Sequence, residues 1–191
     1  MLLRHPFEWL TPSGQIRAFI FFFIISLLAM VSLQVTGAHL KTEASPSGIL
    51  SFEFAGELAA AQNMVNSWGQ RGRVYAGLNL GLDFLFLLVY AFAIGLGCVL
   101  VARCLSPGTT FFANLGLLIA WAQLAAALLD GVENYALIRV LFGTEMAVWP
   151  LIARWCAIPK FLIVGAGLIY VIVGTILAVV MKIKEQDEHP A

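Results

Sequence analysis

The sequence predicts an all-α integral membrane protein, a bundle of four transmembrane helices forming a single domain over residues 1–191. Three observations predict it. The 191 residues are 61% hydrophobic with a mean hydropathy of +0.91, and basic and acidic side chains number only 11 each, whereas soluble domains carry roughly 25% charged residues. Four apolar runs approach or exceed the ~20 residues that a helix needs to cross a bilayer core. The two long connections and one short turn between them leave no room for a separate soluble domain. About 60–70% helix is expected on this basis. A formal charge of zero, with no basic run longer than Arg71-Gly72-Arg73, argues against nucleic acid as a partner, because that binding needs clustered Lys and Arg. The lipid bilayer is the expected surrounding, with a membrane protein or a second copy of the chain as a further partner.

The first span is placed at about residues 18–35, with no charge between Arg17 and Lys41. Val35 and Gly37 would suit a signal peptidase, but the apolar run exceeds the usual signal core of about 7–15 residues, so an uncleaved span is expected. A lid segment follows at 45–70. Ser45-Pro46-Ser47-Gly48 breaks the chain, and Phe54, Leu58, Ala61, Val65 and Trp68 then share one helical face, with Gly69 as the C-cap. Such an amphipathic helix either lies in the membrane interface or folds down over the bundle, and the second is the favoured expectation.

The second span is placed at about 74–102, the third at 111–129 and the fourth at 161–181, with Ser106-Pro107-Gly108 turning the chain between the second and third. The connection from Asp130 to about Ala157 is expected to continue the third helix and to end at Trp149-Pro150 and Trp155, aromatics suited to an interfacial belt. Lys182 and Lys184 are placed to snorkel, and residues 185–191 read as a disordered polar tail. Cys98 and Cys104 fall near one end of the bundle and Cys156 near the other, so no disulfide is expected. Basic flanks are evenly divided. The first span, led by Arg17, favours both termini in the cytoplasm.

Polar side chains inside the spans carry the functional reading, since a charge at a helix centre costs about 2.5–3.5 kcal/mol on insertion scales. Asp83 lies roughly 13 Å into the second span, too deep for a short side chain to reach water. Asn79, Phe86 and Tyr90 share its stripe. Gly77 and Gly81 form a small-residue pair that would admit another helix closely. Asp130, Glu133 and Asn134 fall on one face of the third helix, and Gln123 extends that face toward the bilayer centre. Lys160 opens the fourth span, followed by Gly167 and Gly174. Threading the four spans brings all of these into one membrane half. The candidate binding residues are therefore Asn79, Asp83, Gln123, Asp130, Glu133, Asn134 and Lys160, with Asp83 expected within about 6 Å of at least one of Lys160, Asp130, Asn134 or Gln123. The competing reading is a buried pair that sets helix register, with the Asp130 segment merely a solvated helix end.

Catalytic and metal motifs are absent from the sequence. His5, His39 and His189 lie outside the spans and none forms a Glu-x-x-His pair. Asp83, Asp130, Glu133 and Asn134 would offer oxygen ligands to a hard cation, but their spacing does not demand one. No cofactor is expected. Phosphate loops and nucleophile elbows are missing, which leaves a carboxylate pair acting on a lipid as the only enzymatic alternative. The leading expectation is a polar pocket that binds or conducts a small ligand, an ion or a lipid headgroup, and the other alternative is an accessory subunit of a membrane complex.

The segments Phe52-Glu53-Phe54-Ala55-Gly56, Asn66-Ser67-Trp68-Gly69, Leu82-Asp83-Phe84-Leu85-Phe86, Leu129-Asp130-Gly131-Val132-Glu133-Asn134 and Lys160-Phe161 together resemble a family of small bacterial membrane proteins with four transmembrane helices. The resemblance implies a bacterial inner-membrane setting and one structural unit containing these segments. It implies no activity.

Overall fold

A computed structural model describes residues 3–106 and 109–188, with side chains described as far as residue 182. Pro107 and Gly108 of the short turn, the side chain of Lys184 and residues 189–191 lie outside the described residues. The described residues form six α-helices: α1 Pro12–Gly37, α2 Ile49–Glu53, α3 Leu58–Ser67, α4 Gly69–Leu105, α5 Thr110–Leu141 and α6 Val148–Glu188, with a 3-10 turn at Ala38–Leu40. The fold is 83% helical, with no strand among the described residues. Four of these helices, α1, α4, α5 and α6, are long and apolar enough to cross a membrane.

Helix exceeds the expected share because the long helices run well past the apolar stretches. α1 starts at Pro12, where Thr11 caps it by accepting from the Gly14 amide at 3.2 Å and proline fills the first turn. The segment from Asp130 to Ala157 is largely not a connection. α5 continues to Leu141, and α6 begins at Val148, with Trp149, Pro150 and Trp155 inside it. Pro150 is tolerated because first-turn amides have no helical acceptor to lose. At the other end, the polar tail expected to be disordered continues α6 to Glu188, since Lys, Glu and Gln are good helix formers and no breaker intervenes.

α4 is the axis of the bundle. It packs along α5 and α6, and α5 and α6 pack along each other, while α1 packs chiefly against α4. The lid folds down over the bundle, as two helices rather than one. Gly56, at φ +70°, separates them, and Arg154 lies against it closely enough that a β-carbon would meet its side chain at 2.9 Å. Phe52, Ala61, Val65 and Trp68 are buried in a core with Leu80 and Leu137, whereas Phe54 is exposed. Trp68 fixes the lid by donating its indole N–H to Leu40 O and Ser45 Oγ, both at 2.8 Å. Gly69 takes φ +63° just beyond α3 and also begins α4, so this one residue ends the lid and starts the span.

The far half of the bundle is closed by close packing. Gly116 receives the Tyr170 ring, Gly174 faces Val101, and the Phe7 ring lies 3.1 Å from where a β-carbon on Gly95 would sit. Phe7 belongs to an N-terminal segment tucked beneath the helices and held where Gln15 Nε2 donates to its carbonyl at 3.0 Å. The Gly77 and Gly81 pair does not receive a helix: Gly81 has open space before it and Gly77 meets only the tip of Leu141. Their face of α4 points between neighbours rather than at one.

Candidate functional site: a polar layer and an amphiphilic cavity

Three helices and the lid supply the site. Asp130 and Glu133, at i and i+3 on α5, both point at α6, where Lys160 follows Pro159 in the helix interior. Lys160 Nζ lies 3.0 Å from Asp130 Oδ1 and 2.8 Å from Glu133 Oε2. The first is a hydrogen bond. The second is a close ion-pair contact, which leaves Glu133 Oε1 without a donor. Lys160 is 5% exposed, Asp130 2% and Glu133 0%. The Asp130 segment is therefore no solvated helix end, because α5 continues beyond it and the lid covers it.

Of the four partners expected for Asp83, Asn134 is the one it meets: Asp83 Oδ2 accepts from Asn134 Nδ2 at 2.7 Å. Lys160, the ionic alternative, takes the two α5 carboxylates instead. A short Asp on α4 is outcompeted by two acids that α5 presents together to α6. Asn79 and Gln123 also leave the group. Asn79 Nδ2 donates to Leu33 O at 2.9 Å and Thr36 Oγ1 at 2.7 Å, tying α4 to α1. Gln123 Nε2 donates to Ile163 O at 3.0 Å, tying α5 to α6 across Gly167, whose missing side chain gives the amide its room.

Two members were not read from the sequence. Glu53, the last residue of α2, reaches down from the lid to 3.9 Å from Lys160 Nζ while only 7% exposed. Burial pushes its carboxyl above the usual carboxylate range; Lys160 opposes the shift and Asp130 adds to it. Tyr90 lies two turns beyond Asp83 on α4, and its hydroxyl, turned toward Asp130, finds no hydrogen-bond partner of adequate geometry. Its place on the Asp83 stripe was a usable signal. Glu53 had none, because nothing in its local pattern ties it to the spans.

A cavity of about 610 Å³ adjoins this layer, within the roughly 300–1,000 Å³ of small-molecule sites. Glu53, Asp83, Asp130 and Lys160 line its polar end, and Asn79 borders it as well. Its walls are apolar: Leu27 and Met30 from α1, Phe86 and Ile94 from α4, Phe161 and Leu168 from α6. From Asp83 to Ile94 it follows roughly 16 Å of helix. Below it, Phe19 of α1 and Val171 of α6 meet over Gly97 and close the floor. Above that floor the cavity separates α1 from α6. Among the described residues, no group of three or more His, Cys, Asp or Glu side chains is arranged to hold a metal ion.

Four apolar helices around a polar layer define a bundle compatible with a multi-pass membrane protein. No protein-family model matches the chain, and no curated protein or solved structure matches it. The likeness of the segments around Asp83 and Asp130 to a bacterial family therefore adds nothing to the geometry.

Proposed function

We propose that this protein is a membrane binding protein whose cavity takes up the polar head of a small amphiphile or lipid while its apolar part lies along α1, α4 and α6. The observation that carries this reading is the join between the buried polar layer and a cavity with apolar walls. A pair that served only to set helix register would need neither the space nor the additional polar groups. A pocket for a small ion would not need apolar walls some 16 Å long. For its setting we propose the bacterial inner membrane, from the resemblance of its segments alone, with both termini cytoplasmic; the basic flank at Arg17 supports that orientation, and a topology reporter fused after Ala191 tests it.

Leu27 lines the cavity and is 42% exposed, so Leu27→Trp fills space without entering the packed core. Native mass spectrometry of the full chain, extracted from its membrane in a maltoside detergent, is expected to show a bound small amphiphile that Leu27→Trp loses. An adduct-free wild-type chain that remains folded would sink the reading.

A further inference from the structure

The chemistry of the polar end selects among possible heads. Glu53, Asp83, Asp130 and Glu133 converge from the lid, α4 and α5, and the only cation among them is Lys160, shared closely by Asp130 and Glu133 and more distantly, at 3.9 Å, by Glu53. Lys41, the other cation on the cavity wall, is exposed and forms no ion pair with them among the described residues. Glu53 Oε2, whose ion pair to Lys160 is a long 3.9 Å, and the Tyr90 hydroxyl, turned toward Asp130, make no hydrogen bond of good geometry, although both residues line the cavity and are more than nine-tenths buried. Such atoms are costly unless something satisfies them. What the layer lacks is positive charge with N–H donors.

Aromatic rings make the same demand. Phe86 and Tyr90 pack with ring centroids 5.2 Å apart on the α4 wall, whereas the Phe161 ring on α6 already lies 4.6 Å from Lys160 Nζ and stacks on Phe54. The Phe86 and Tyr90 rings beside the carboxyl groups form the environment that attracts a second ammonium group. The carboxyls are not arranged as a metal cage, which favours an organic cation over a hard ion. An alkyl tail attached to that cation would lie against Leu27, Ile94 and Leu168, on walls shared by α1 and α6, two helices that do not pack together along the cavity.

We propose, building on the binding function above, that the ligand class is a long-chain alkylammonium amphiphile, whose head sits between Asp83, Glu53 and Tyr90 and whose tail lies in the cleft between α1 and α6. A protonated amine there donates to Glu53 Oε2 and the Tyr90 oxygen, and its charge favours release of the proton that burial otherwise holds on Glu53. An anionic head would meet like charge. A neutral alcohol would make the hydrogen bonds without pairing charge with the carboxyls.

The test titrates the full chain in neutral maltoside micelles with dodecylamine, dodecanol, dodecyl phosphate and ethylamine, counting bound ligands by native mass spectrometry. Dodecylamine is expected to saturate at one per chain and to bind about tenfold or more tighter than each of the others. Asp83→Asn keeps an acceptor for Asn134 and is expected to weaken dodecylamine by about tenfold while leaving dodecanol nearly unchanged. Should that variant melt early, Glu53→Gln on the lid is expected to act in the same direction. Saturable binding in which dodecanol or dodecyl phosphate equals dodecylamine would overturn the cationic class and leave the cavity reading standing. Ethylamine binding as tightly as dodecylamine would show that the tail wall is unused and would overturn the amphiphile. If none of the four saturates, both proposals fall together.

Discussion

The same three helices build two unlike regions on either side of the middle of the bundle. In the far half, α4, α5 and α6 interlock through glycine: Tyr170 lies over Gly116 and donates to Phe112 O at 3.0 Å, while Val101 faces Gly174. Cys98, Leu96, Val99, Ala113 and Ala120 fill what remains and are almost wholly buried. In the lid half the helices carry Asp83, Asp130, Glu133, Asn134 and Lys160, and a cavity remains between α4, α6 and α1. One region gains its stability from dispersion at close contact and has no space to spare. The other holds charges that need one another and space that close packing did not fill. The difference teaches that buried charge and free space sit together where the bundle gave up dense packing, while the far half holds the helices in register.

The largest effect is expected in the polar region. Lys160→Met leaves buried carboxylates without their cation, and loss of one partner from a buried pair costs about 3–5 kcal/mol. Thermal unfolding in detergent is expected to show a large drop for Lys160→Met and partial recovery when Asp130→Asn and Glu133→Gln are added. An unchanged midpoint for the single variant would mean that the layer is not held by charge, and the contrast between the regions would collapse.

Overpacking the dry region comes next. Gly116→Val places new atoms where the Tyr170 ring and hydroxyl lie, and overfilling a packed core typically costs about 1–3 kcal/mol. The same unfolding measurement applied to Gly81→Val, which faces open space, is expected to show a far smaller change. Equal losses at both positions would argue that steric fit does not distinguish the two faces.

A smaller loss is expected for Asn79→Leu, which removes two hydrogen bonds from α4 to α1, each worth about 0.5–1.5 kcal/mol net. Because α1 packs chiefly on α4, hydrogen exchange should rise near residues 33–37 more than within α5. Uniform change along the chain would show that Asn79 is not a local tie.

The smallest effect concerns the lid. Glu53 has a raised pKa in the folded state, chiefly through burial, and it faces Lys160 on α6 and Asp130 and Glu133 on α5. The folded state therefore binds this proton more tightly than the undocked lid does. Its contribution to docking is fully present below the ordinary Glu pKa and is lost as pH rises through the raised one. Exchange of residues 42–57, corrected for its intrinsic pH dependence, is expected to speed up as the pH rises across that window, and Glu53→Gln is expected to flatten the trend. Exchange that slows with rising pH would reverse the assignment.

Hydropathy alone determined the number of long helices and the all-α class, because in lipid each backbone polar group must be satisfied within its own helix and an apolar run of sufficient length has few alternatives. The i, i+3, i+4 spacing likewise put Asp130, Glu133 and Asn134 on one face, and the depth of Asp83 marked the lid half as the polar one. Helix ends were less legible, since polar residues flanking a span continue a helix as readily as they end it; α5 and α6 absorbed most of a supposed connection for this reason. Only the tertiary structure decided who pairs with whom. Whether Lys160 meets Asp83 or the α5 acids depends on the rotation of α4 and α6 about their axes, which no local spacing encodes. Glu53 enters the site only because the lid folds back over the bundle, and Asn79 borders the cavity without joining the charged layer because α1 lies close enough to accept its amide. The cavity likewise belongs to the packing: it exists where α1 and α6, joined over Gly97, part above it, and a sequence does not record the space between two helices.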